Sequence, residues 1–224
     1  MTGDLVNDAA LTGLDAEAGL FAHGQANLTK NERELYRWIL TNFGAGRPPS
    51  LADLSEQTAR LQLDRDQALE RMETTDLIRL DPDSGAVSVA YPFSASPTPH
   101  TLDLDGVQGY AMCAVDALGV AYMLGQPVTV TSRDPQTGDE VRVRVDPDPG
   151  TIDAAPDQAV ALAGHVPGAG ALASSCCPVT NFFASETNAR DYLAQNPAID
   201  GQVVSIAQAA DAGRALFGQL LTAS

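Results

Sequence analysis

The chain has 224 residues, room for one large domain or two small ones, and 44% of them are hydrophobic, enough to build real cores. Acidic residues number 29 against 13 basic ones, Lys30 being the only lysine, and the formal net charge of −16 sets up a surface that repels nucleic acid and anionic membrane. No apolar run is long enough to span a bilayer. Met1 to Ala10 carries acids and no cations, unlike a signal peptide. Three cysteines, two of them adjacent, do not make a secreted disulfide framework, so a cytoplasmic protein with reduced thiols is expected.

In chain order, residues 1–27 are small and acidic and read as a poorly fixed arm, with an apolar patch at Leu20-Phe21. Thr29 then opens a helix, with Glu32 three residues on in capping-box position. Leu35, Trp38, Ile39 and Phe43 give that helix one apolar face. Ser50 caps a second helix over about 51–60, with Leu51, Leu54 and Ala59 inward. Leu63-Asp64 opens a third over about 65–74, with Ala68, Leu69 and Met72 inward. Asp81-Pro82-Asp83-Ser84-Gly85 is a turn between two short strands. Three helices and a hairpin form a winged-helix-like domain over residues 28–92. Its third helix carries Asp64, Asp66, Glu70 and Glu73 against Arg65 and Arg71, the opposite of a DNA-reading footprint. A structural cap or a dimerisation module is the favoured role.

Residues 93–224 are expected to form a second domain, a mixed or antiparallel sheet with flanking helices, so the fold class is α+β. Tyr91 to His100 reads as a linker, with His100 a loop residue. Leu102 and Leu104 lead into a helix centred on Asp116. Strands near 126–130 and 140–145 flank the turn Asp134-Pro135-Gln136-Thr137-Gly138-Asp139, with Val141, Val143 and Val145 on one face. Asp146 to Gly150 is a turn-rich break. Another strand is read at 158–163, with His165 in a loop beyond it. Ser185 caps a helix ending near Gln195. A strand at 202–206 and a final amphipathic helix at 207–221 close the chain.

All three cysteines sit in two stretches distant in sequence. The first, Met112-Cys113-Ala114-Val115-Asp116-Ala117-Leu118-Gly119, has the composition of a buried helix with one acid in it. Buried ionisable groups have a partner or a purpose. Three apart on a helix, Cys113 and Asp116 would share a face, in surroundings that disfavour the charged form of both. The second stretch, Ser175-Cys176-Cys177-Pro178-Val179-Thr180-Asn181-Phe182-Phe183-Ala184-Ser185, reads as a bend followed by an apolar, strand-like wall. Neither stretch has the spacing of a structural zinc site or of a thiol–disulfide enzyme. Two thiols with few other ligands suit a soft ion of low coordination number. The carboxyl adds a proton source, for which a carrier has no use.

Cys-Ala-x-Asp in an apolar helix, followed by Cys-Pro-x-x-Asn-Phe-Phe-Ala-Ser, resembles the organomercurial (alkylmercury) lyases, from about Leu28 to the C-terminus. In that family two cysteines and an aspartate cleave the carbon–mercury bond. The positions matching them are Cys113, Asp116 and Cys177, the last by counting back from Phe182, with Cys176 as its neighbour and a further potential mercury ligand. Two departures stand out. Ser132-Arg133-Asp134 occupies the place where many members carry another cysteine, and Met112 replaces an aromatic. The resemblance implies capture of R–Hg⁺ by thiolate, protonation of carbon through Asp116, and Hg(II) left bound as product. It implies no organic cofactor. Organomercurials would be the substrates, and Hg(II) would pass to low-molecular-weight thiols or to a mercuric reductase. A soft-metal carrier for mercury or copper, or a winged-helix metal-responsive regulator, are the alternatives from other classes.

Overall fold

Thr29 and Ser50 close the first turns of their helices as their side chains dictate. The computed structural model describes residues 24–221, so most of the expected arm at 1–27 lies outside the described residues. Helix α1 spans Lys30–Gly44, α2 Leu51–Arg60 and α3 Arg65–Thr74. Thr29 and Glu32 form a reciprocal capping box: the Thr29 amide donates to Glu32 Oε2 at 2.7 Å and the Glu32 amide to Thr29 Oγ1 at 3.3 Å. Glu32 is buried and also pairs with Arg71 at 2.9 Å, which ties α1 to α3. Leu35, Tyr36, Ile39, Leu40 and Phe43 fill the inner face of α1, while Trp38 packs only at its margin. On α2 the inward residues are Leu54 and Thr58; Leu51, expected inside, is 39% exposed. Ala59, also expected inside, is exposed; the buried pair Leu54 and Thr58 stands one turn apart on a single face.

Eight strands form one antiparallel sheet in the order β1-β2-β3-β5-β4-β6-β7-β8. They are β1 (Ile78–Leu80), β2 (Val87–Ala90), β3 (Phe93–Ser94), β4 (His100–Leu104), β5 (Val107–Ala111), β6 (Val128–Arg133), β7 (Glu140–Asp146) and β8 (Thr151–Ala155). β2 pairs with β3 and β3 with β5, so the sheet runs unbroken from the front helices into the rest of the chain. Phe43 of α1 stacks on Phe93 of β3 with ring centroids 6.0 Å apart, and one hydrophobic core spans both parts. A second, three-stranded sheet has the order β10-β9-β11, from Asn181–Phe183, Val160–His165 and Asp200–Ser205. The remaining helices are α4 (Ala114–Leu124), the single turn α5 (Leu172–Ser175), α6 (Glu186–Gln195) and α7 (Ile206–Phe217).

Four sequence expectations are corrected. Residues 107–111 form β5, so the acid-bearing helix starts only at Ala114. Leu102 and Leu104 belong to β4, which turns back into β5 through Asp105 (φ 58°) and Gly106 (φ 83°) rather than entering a helix. The break at Asp146–Gly150 is a hairpin turn, and β8 follows it. His100 and His165 are strand residues. His100 is buried, its Nδ1 3.0 Å from Ser132 Oγ and its ring edge-on to Phe182. Burial pushes its pKa down to about 4, a hydrogen bond to the Asn181 side chain working the other way, so the ring is neutral near pH 7.

Helix α4 occupies the centre of the core, with Ala114 to Ala121 all buried. It crosses α7 at Gly119 and Gly213, where the backbones nearly touch. A Cβ on Gly213 would lie 2.6 Å from Val115 O and 2.8 Å from Gly119 N. Those neighbours are main chain and cannot rotate away. Alanine is the better helix former by about 1 kcal/mol, but overpacking of this kind costs about 1–3 kcal/mol. Gly213→Ala is therefore expected to lower the melting temperature, by about 2–4 °C per kcal/mol of net loss. Thermal unfolding followed by circular dichroism measures the sign; an increase would mean that the helices can separate without cost.

Candidate active site

Cys113 is the residue before α4, and it caps the helix with sulfur. Its backbone is extended (φ −150°, ψ −179°), and its Sγ accepts the Asp116 amide at 3.4 Å. Cys113 and Asp116 therefore meet as N-cap and third helical residue, not as two residues on one helical face. Short polar side chains usually fill such a cap. Here a thiol does so, which places both groups at the positive end of the α4 dipole. That end favours negative charge, while burial opposes it; Cys113 and Asp116 are each 5% exposed.

The second cysteine stretch is a tight turn. After α5, both the Cys176 and Cys177 amides donate to Leu172 O, at 3.0 and 3.1 Å. Val179 and Thr180 then donate to Cys176 O at 3.1 and 3.0 Å, and Pro178 sits inside the turn. Two long-range bonds fix the turn in place. Leu172 N donates to Asp76 Oδ2 at 2.8 Å, and Ala114 N, the first amide of α4, donates to Thr180 O at 3.0 Å. Beyond it, β10 carries the expected wall of Asn181, Phe182 and Phe183, and Ser185 caps α6 by accepting the Asn188 amide at 3.2 Å.

These constraints bring Cys113, Asp116 and Cys177 together, with one ligand atom of each within 4.8 Å of the others. The Cys177 thiol donates to Asp116 Oδ2 over 3.9 Å. Among the described residues this is the one cluster of three such groups able to hold a metal ion. Cys176 lines the same cavity but falls outside that cluster; its Sγ lies 3.5 Å from Ser175 Oγ. All three cysteines are buried, and no disulfide joins them. The cavity has a volume of about 20 Å³, room for about one water-sized group, and its remaining walls include Val115, Leu172, Leu216 and Phe217. Two close thiols and a carboxyl in a buried, largely apolar recess can hold a soft, low-coordinate ion and deliver a proton beside it.

Residues that sequence reasoning did not single out complete the setting. Tyr91 lines the cavity, and Tyr36 holds it there by donating to Tyr91 O at 2.9 Å. Asp76 anchors the cysteine turn. Asp134, read only as part of a turn, is 1% exposed and accepts from Gln136 N, Ala184 N and the Asn188 side chain at 2.7–2.8 Å. It thereby ties the β6–β7 turn to the corner where β10 meets α6. Each of these roles depends on a partner tens of residues away, and no local pattern announces it.

The sequence profile of the family described as alkylmercury lyase matches residues 93–218. An alkylmercury lyase of Staphylococcus epidermidis is 30% identical over 182 residues, 81% of this chain and 81% of that protein. One from Streptomyces lividans is 30% identical over 188 residues, 84% of each chain. The crystal structure of the mercury-bound form of MerB2 shares the fold, with a TM-score of 0.75 at 21% identity over 92% of this chain and 98% of that one. With the profile covering more than half of the sequence, and relatives matched along most of their own length, the chain belongs to the alkylmercury lyase family.

Proposed function

We propose that the protein cleaves the carbon–mercury bond of organomercurials by protonolysis, with Cys113 and Cys177 as mercury ligands and Asp116 as the proton shuttle. The observation that carries this reading is the placement of the Asp116 carboxyl among two sulfurs in a buried recess. One thiolate displaces the substrate's outgoing ligand and forms R–Hg–S. The second thiol gives its proton to Asp116 and binds mercury as thiolate. Double thiolate ligation pushes electron density onto carbon. Asp116 then delivers its proton to that carbon, R–H leaves, and Hg(II) remains on the two sulfurs. One proton ends on carbon, the other leaves with the displaced ligand, and no atom changes oxidation state through an outside partner. The sequence therefore needs no organic cofactor. External low-molecular-weight thiols, or a mercuric reductase, would remove the Hg(II). Three cysteines without a disulfide among them fit a reducing, cytoplasmic setting.

The front segment, 28–92, is read as a winged-helix-like unit, with α3 in the recognition position and β1–β2 as the wing. It is assigned to scaffolding rather than to DNA. Arg65 is paired with Asp66 at 2.7 Å and Arg71 with Glu32 at 2.9 Å, so both arginines of α3 are already engaged. That arrangement disfavours a metal-responsive regulator. Asp116 disfavours a carrier, because burying a carboxyl beside the thiols adds nothing to holding a soft ion and costs desolvation.

Three outcomes test these assignments. Asp116→Asn is expected to capture an arylmercurial stoichiometrically yet release arene about 10²–10⁴-fold more slowly, as loss of a general acid would require; Cys113→Ser should lose both capture and release. Gas chromatography of the arene and parallel mercury analysis separate the two steps, and full activity in Asp116→Asn would take the proton shuttle away from that residue. Cys177→Ser is expected to abolish turnover while Cys176→Ser retains it, and the reverse pattern would reassign the second thiol. In a gel-shift assay at low ionic strength, the protein is expected to leave any duplex unshifted; salt-sensitive, sequence-selective binding would restore the regulator.

A further inference from the structure

Tyr91 has no part in the reaction just described, yet it borders the recess in which that reaction would occur. It is 2% exposed and shares the cavity with Cys113, Asp116, Cys176 and Cys177. Its main chain is held from two sides: the amide donates to Leu77 O at 3.2 Å and the carbonyl accepts from the Tyr36 hydroxyl at 2.9 Å. The ring therefore has a fixed root. Its hydroxyl, although buried, makes no hydrogen bond among the described residues. Buried hydroxyls nearly always have partners, and an exception in a functional recess points to a partner that forms during function. Tyr36, a few residues' breadth away, shows the contrast, since its hydroxyl is used by the fold itself.

The chemistry supplies the missing partner. When both thiolates hold R–Hg⁺, the three-coordinate centre carries a net negative charge. Among the described residues no lysine or arginine lines the cavity to offset it. The Asp116 amide is already committed to Cys113 Sγ. Tyr91 is a donor and not a base: burial above all, then the charges of Cys177, Asp76 and Asp116, hold its phenol far above the ordinary tyrosine range, with Arg79 pulling the other way. Tyr91 and Cys177 line the same small cavity, which brings that sulfur into the recess bordered by the phenol.

We infer that the Tyr91 hydroxyl donates a hydrogen bond to the mercury-bound Cys177 sulfur once the second thiolate has bound, and so stabilises the anionic centre from which carbon is protonated. This rests on the lyase reading above. No bond is made or broken at Tyr91; it supplies a fixed dipole aimed at charge that exists only late in the reaction. Such a donor accelerates the chemical step without tightening the first capture.

Tyr91→Phe keeps the ring and removes only the hydroxyl. The single-turnover rate of arene release is expected to fall about 10- to 100-fold, the loss typical of one hydrogen bond to a charged group. KM and the stoichiometry of capture should stay unchanged. The melting temperature should hold or rise, because the variant deletes a buried polar group that has no partner in the resting protein. The sulfur-to-mercury charge-transfer absorption of the Hg(II)-loaded variant should shift from that of the wild type, a readout independent of turnover. A merely structural tyrosine predicts the reverse: a lower melting temperature and an unchanged rate per folded molecule. An unchanged rate in Tyr91→Phe, with wild-type protein releasing arene, overturns this inference alone. Wild-type protein that binds the arylmercurial and releases none overturns the lyase reading and this inference with it.

Discussion

A single backbone hydrogen bond, from the amide of Ala114 to the carbonyl of Thr180 at 3.0 Å, joins the two halves of the site. The first amides of a helix have no acceptor within it and must find one outside. In α4 one of them goes to Thr180 O and another, that of Asp116, to Cys113 Sγ. The bond thus satisfies the helix and at the same time fixes the cysteine turn against it. Thr180 is held in turn, its hydroxyl donating to Gly164 O at 3.2 Å and accepting from Gly164 N at 3.3 Å. The three-stranded sheet, the turn and the central helix converge on this residue. Together with the anchor of Leu172 N on Asp76, it holds Cys177 opposite Asp116, 61 residues away in the chain.

Packing then decides what surrounds the thiols. The close crossing of α4 and α7 at Gly119 and Gly213 draws the end of α7 over the helix start. Leu216 and Phe217 become walls of the cavity as a result. From the other side, α1 reaches in through Tyr36, whose hydroxyl positions Tyr91. The front of the molecule therefore contributes to the site although it carries none of the three clustered groups. This is why the sheet, continuous from β1 to β8, matters for chemistry: it fixes Tyr91 and Asp76 relative to α4 and the cysteine turn.

What was legible in the sequence had local causes. The capping box at Thr29, the caps at Ser50 and Ser185 and the hairpin turns at Asp81–Gly85 and Asp134–Asp139 are written within a few residues, and the structure contains each of them. The pairing of Cys113 with Asp116 was legible as spacing, but the cause differs: an i, i+3 interval also describes an N-cap and its third residue, and spacing alone does not separate the two. β3 and β5 escaped notice because Tyr91–His100 is rich in proline and serine, and Val107–Ala111 runs into the cysteine motif without a breaker. β8 escaped because four of its five residues are polar or small and none of them is buried. His100, Asp134, Asp76 and Tyr91 owe their roles to partners far along the chain. No periodicity encodes those contacts; only the sheet order does.

The carboxyl at position 116 is the point where stability and function diverge. Asp116 is buried in the most apolar helix of the described residues, where a neutral side chain would fold at lower cost. Two local features offset part of that cost, the helix N-terminus and the Cys177 thiol, and both do so only because the acid stands at this one position. Moved one turn along α4, it would lose the dipole and the thiol together. A site that had only to retain a soft ion would need the sulfurs and their approach, and nothing in that task uses a proton. Cleaving a carbon–metal bond does use one, delivered to carbon within a recess that excludes water. The fold places a costly buried acid where that proton would be needed, between sulfurs that two distant segments bring together.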